Sequence, residues 1–90
     1  MENLCISESV EVKLRDKHNV SVNEIKQCFF NKKGLSLRDT RENSKTIPPT
    51  LWFIAKTNNN RILKIVYILK HGVVYLKTAY NPNEVELSIY

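Results

Sequence analysis

The residues best suited to chemistry are cations interleaved with aromatic and apolar groups: Arg61, Lys64 and Lys77, with Trp52, Lys56, Tyr75 and Tyr80 nearby in the chain. They fall within the stretch TLWFIAKT-NNN-RILKIVYILK-HG-VVYLKTAY, residues 50–80. Its three runs of β-branched and aromatic residues, separated by turn residues, predict an antiparallel meander. Along 61–70, Leu63, Ile65, Tyr67 and Leu69 alternate with Ile62, Lys64, Val66, Ile68 and Lys70. One face is therefore apolar and the other mixes cations with apolar groups. Buried ammonium groups are rare, so the Lys64 face is expected to meet water, a partner or a phosphate. The working face is Trp52, Lys56, Lys64, Tyr75 and Lys77.

Charge narrows the partner. Fourteen Lys and Arg oppose nine Asp and Glu, for a net charge of +5. The last ten residues hold Glu84 and Glu86 and no cation. A basic chain favours nucleic acid or an acidic protein. With only Gly34 and Gly72, no phosphate-cradling glycine loop can form, and CxxC, HExxH and GxSxG are absent. His18 and His71 fall in turns, where imidazoles are ordinarily solvated. Cys5 and Cys28 make neither a disulfide framework nor a metal set, and Cys28 beside Phe29 and Phe30 reads as a small buried thiol. No metal or cofactor is expected. The first nine residues carry acids and no apolar leader core, and no run approaches the roughly 20 apolar residues that span a bilayer. The expectation is a cytoplasmic, reduced protein without a membrane segment. Ninety residues suit a single domain, 1–90, with one modest core.

The elements that must position these residues follow from local signals. Ser21-Val-Asn-Glu24 is a capping box, and Val22, Ile25 and Phe29 then fall on one helical face, predicting a helix to about Phe30. A preceding helix over about 7–17 shows a thin apolar stripe, Val10 and Leu14. Leu35–Asp39 suits a first strand, and Thr40–Pro49 a long loop ending in Pro48-Pro49. Turns at 58–60 and His71-Gly72 join the three main strands. Asn81-Pro-Asn-Glu84 predicts a short terminal helix capped by Asn81 with Pro82 at its first position. Grouped helices followed by grouped strands argue α+β, with the helices covering one sheet face.

Several short stretches taken together resemble a known family. Lys17-His-Asn-Val-Ser21 enters a helix ending in Phe29; Asp39-Thr-Arg41, Phe53-Ile-Ala55, Arg61-Ile-Leu63, Val66-Tyr67, Thr78-Ala79, Glu86 and Tyr90 follow. From about Lys13 to the C-terminus this resembles the BrnT toxins of the RelE/ParE-like superfamily of bacterial type II toxin–antitoxin systems. The resemblance implies two N-terminal helices packed on a four-stranded antiparallel sheet, with a short C-terminal helix. It also implies a small ribonuclease that inhibits translation by acting on RNA, mRNA among it. Such toxins are held inactive by a cognate antitoxin, often in a heterotetramer; a homodimer is the other expected assembly.

The family pattern carries arginines where this chain has Trp52, Tyr75 and Tyr80, and glycines where it has Asn19 and Asn60. Indole and phenol cannot reproduce the forked bonds of guanidinium to phosphate, although aromatics can stack on unpaired bases. Metal-independent RNA cleavage needs a base, an acid and a cation for the developing phosphorane charge. Lys64, Lys77 and Arg61 can supply charge, and Tyr75 or His18 can move a proton. Trp52, Lys56, Tyr80 and Arg41 are the candidate nucleic-acid or partner contacts. The alternative is a non-catalytic nucleic-acid- or protein-binding module that keeps the fold. A blander account also exists: lysines on a sheet face solubilise it, aromatics beside them pack on neighbouring strands, and Asp39 with Arg41 is a local ion pair.

Overall fold

The computed structural model describes residues 3–39 and 48–90. It is α+β, with the order β1 (Leu4–Cys5), α1 (Glu8–His18), α2 (Val22–Asn31), β2 (Leu37–Arg38), β3 (Thr50–Lys56), β4 (Ile62–Lys70), β5 (Val73–Tyr80) and α3 (Glu84–Ile89). The expected four-stranded antiparallel sheet is a five-stranded mixed one, ordered β1-β5-β4-β3-β2. The added strand, β1, runs parallel to β5 with Leu4 opposite Val74. Two residues are too few to show an alternation, which is why the pattern did not announce it. Most of the expected loop, 40–47, and with it Arg41, lies outside the described residues.

Each helix starts where its cap dictates. Ser7 accepts from the Val10 amide to open α1. Ser21 and Glu24 close the capping box of α2 at 3.1 and 3.0 Å, a device worth about 1 kcal/mol. Between them Asn19 takes a left-handed conformation, φ 52°, which ends α1 and turns the chain. Asn tolerates this region better than other non-glycine residues. At the C-terminus the expected cap is displaced by two residues. Asn83, not Asn81, accepts from Glu86, and Glu86 returns to the Asn83 amide. Pro82 therefore precedes the cap rather than opening the helix.

The meander of three antiparallel strands forms as expected. Phe53 lies opposite Ile65, and Ile65 opposite Ala79. His71 and Gly72, both with positive φ, make the two-residue β4–β5 turn, the geometry that matches strand twist. A bulge interrupts β5: Val66 pairs with Thr78 but Tyr67 with Leu76, leaving Lys77 as the extra residue. Leu14, Ile25 and Cys28 from the helices and Val20 from the corner between them pack with Phe53, Leu63, Ile65, Leu76 and Ala79 to form the core. Phe53 is wholly buried, a burial worth about 1.5–3 kcal/mol. Phe29 meets Phe53 and Tyr67 edge-on at 4.9 and 5.4 Å. Leu69, assigned to this face by alternation, stays largely exposed near the hairpin end. The Lys64 face points away from α1 and α2, yet it is not bare, because α3 folds back across part of it.

Candidate functional site

Lys64 lies mid-strand between Trp52 of β3 and Tyr80 of β5. Its Nζ sits 4.5 Å from the indole centroid and 5.6 Å from the Tyr80 ring. The expectation that it meets solvent or a phosphate is corrected here. Lys64 is only 5 % exposed, and its ammonium donates to Glu86 Oε2 at 2.5 Å. The Tyr80 hydroxyl donates to the same oxygen at 3.0 Å. A buried cation is tolerable only when paired and hydrogen-bonded, and α3 supplies the anion. Burial pushes the Glu86 carboxyl up, but Lys64, the Asn83 amide and Tyr80 outweigh it and hold it below the usual value. Tyr90 extends the cover, its ring 5.8 Å from that of Trp52. Trp52 and Val66 are consequently buried, Ile54 and Ile68 half-buried, and Ile62 exposed.

Arg61 is also engaged within the chain. Its guanidinium donates to the carbonyls of His18 and Asn19 at 3.0 and 2.6 Å, and to both Glu24 oxygens at 3.3 and 3.1 Å. A planar fork suits this set of acceptors. It ties the α1–α2 corner to the start of β4, and with it the position of His18. Glu24 is pushed up by burial, yet the Ser21 amide and Arg61 bring it below its usual value.

The other candidates fall at separate places on the surface. His18 stacks obliquely near Tyr80, ring centroids 5.7 Å apart. It also lines a cleft of about 280 Å³ together with Lys13, Lys17, Lys77 and Thr78; Asp39, Thr50 and Val66 form the remaining wall. The bulge at Lys77 brings that side chain to the cleft, and α1, packed along β5, brings Lys13 and Lys17. Tyr75 is exposed and pairs with Ile68, away from the Trp52–Lys64–Tyr80 cluster. Lys56 lies at the far end of β3, lining a separate groove.

Lys13, Lys17 and the Glu86 partnership are the contributions that residue patterns missed. Lys13 and Lys17 were legible as an i, i+4 cationic pair on α1, and Glu86 as part of a cation-free C-terminus. Among the described residues no group of three or more His, Cys, Asp or Glu is placed to hold a metal. No described helix is long and apolar enough to cross a membrane.

The chain matches no family model and no curated protein.

Proposed function

We propose that this chain is a BrnT-like toxin that acts on RNA in the cytoplasm and is held by a cognate antitoxin. The observation that carries the RNA half is the cleft in which Lys13, Lys17, His18 and Lys77 converge at Thr78. Three cations against one carboxylate, Asp39, around one concavity suit a phosphate, and an imidazole beside them suits proton transfer. In metal-independent cleavage His18 would take the 2′-hydroxyl proton, the 2′-oxygen would attack phosphorus, and the 5′-oxygen would leave with a proton from water. The products are a 2′,3′-cyclic phosphate and a 5′-hydroxyl. Lys77 and its neighbours would offset the added phosphorane charge. Asn19 and Asn60 also support the reading: both hold left-handed backbone, φ 52° and 65°, at the positions where the family pattern has glycine.

A second reading, a binding module without cleavage, is favoured by a specific observation. Lys64 and Arg61, two of the expected charge carriers, are already neutralised by Glu86 and Glu24. Expression in a host without a matching antitoxin discriminates the two. Growth arrest with RNA cleavage, both removed by His18→Ala with Lys77→Ala in a folded chain, supports the toxin. Unimpaired growth with intact RNA overturns it, and RNA binding without cleavage supports the module.

A further inference from the structure

Phe30 is 90 % exposed at the end of α2. It is one wall of a groove of about 850 Å³ that continues over Ile54 and Ile62 to Leu87 and Tyr90 of the C-terminal segment. The same groove carries Lys32, Lys33 and Lys56, and no acid is among its described lining residues. An apolar floor between cationic walls is a poor surface to leave in water, and an apolar patch with a polar rim marks an interaction site. Two carbonyls at the adjoining end of β3 are already engaged by side chains. Asn31 Nδ2 donates to the Lys56 carbonyl at 2.9 Å, and the Cys28 thiol points at the Ala55 carbonyl.

We infer that this groove receives an acidic amphipathic helix from a partner protein. Its apolar stripe would lie between Phe30 and Leu87, with carboxylates facing Lys32, Lys33 and Lys56. Charge decides against a second copy, and the aliphatic floor against RNA. A second copy would bring another net +5 to a lysine-lined groove. RNA would find lysines there, but Ile54, Ile62 and Leu87 gain little from a sugar–phosphate backbone and more from the apolar face of a helix. The inference deepens the partner half of the proposed function and rests on that half alone. The RNA cleft includes Thr50 at one end of β3, and the groove includes Lys56 at the other.

Selection of random displayed peptides against the purified chain tests it. Enriched sequences should share acidic residues and an apolar stripe at helical spacing. A synthetic representative should bind at least about tenfold more weakly to Phe30→Ala, and also to Lys32→Glu with Lys33→Glu. Phe30 is solvent-exposed, so its truncation should leave the melting temperature and any RNA cleavage unchanged. Enrichment of basic or unpatterned peptides, no enrichment, or equal binding to Phe30→Ala overturns the inference. So does a dimer of the free chain that Phe30→Ala dissolves, or RNA binding that the same variant abolishes. If peptides bind as expected while RNA is neither bound nor cut, only the RNA reading falls.

Discussion

Glu86 closes over Lys64 from 22 residues further along the chain, its Oε2 2.5 Å from the ammonium and shared with the Tyr80 hydroxyl. The chain thus covers its one buried cation, among the described residues, with an acid from its cation-free last ten residues. None of the residues of α3 is itself buried, so this ion pair and the Tyr90 contact with Trp52 are what hold the helix against the sheet.

Glu86→Gln should therefore release α3 rather than unfold the domain. Leaving a buried ammonium without its anion costs several kcal/mol, but swinging α3 away rehydrates Lys64 and caps the loss at about 2 kcal/mol. The expected signature is a red shift of Trp52 emission with a largely retained far-UV spectrum. Unchanged emission would show that the pair does not hold the helix.

Acid should do the same reversibly. Glu86 and Glu24 both sit below their ordinary value of 4.5 in the folded chain. Their stabilisation is complete above that value and is lost as pH falls through the lowered folded value. A titration followed by Trp52 emission and by denaturation midpoint should be flat near neutrality and fall only in the acid range. The acid loss should be smaller in Glu86→Gln, which has already given up its share.

Arg61→Ala should loosen the α1–α2 corner, costing about 2–3 kcal/mol through the orphaned His18 and Asn19 carbonyls and Glu24. Arg61→Lys should recover little, because a point ammonium cannot serve acceptors spread across a fork. Hydrogen exchange at the amides of 18–25 reports it directly. Full protection in the alanine variant would contradict the assignment.

If the basic cleft takes RNA, Lys13→Ala and Lys77→Ala should each weaken binding to a single-stranded RNA and reduce the salt slope by about 0.7. Both side chains are exposed, so melting temperatures should hold. An unaltered slope in both variants would remove the cleft from the interface.

The two cysteines should differ sharply toward a thiol reagent. Cys5 is exposed, whereas burial raises the Cys28 thiol to about 11. One equivalent should react in the native chain and a second only with denaturant. Two fast equivalents would show that the core around Cys28 opens readily.

Much of the fold was legible in the chain because its signals are local. The capping box at Ser21–Glu24, the alternation along 50–56 and 62–70, and the turn at His71-Gly72 each act over a few residues, and each stands in the structure. The α+β class followed from their order. The terminal helix was legible too, but its cap was not, since Asn81 and Asn83 both offer a side-chain acceptor and only the second meets Glu86.

Tertiary structure decided the rest, because it depends on which distant residues meet. Alternation placed Lys64 opposite the core face, but nothing local said that Glu86 would return to neutralise it. The pairing of β1 with β5 needs a partner seventy residues away in register, Leu4 with Val74. The bulge that singles out Lys77 arises from how β5 meets β4, and packing of α1 along β5 puts Lys13, Lys17 and His18 at one cleft with it. Residue types limited the chemistry to phosphate, acids and aromatic surfaces. Long-range pairing decided which cations are occupied and which line open surfaces.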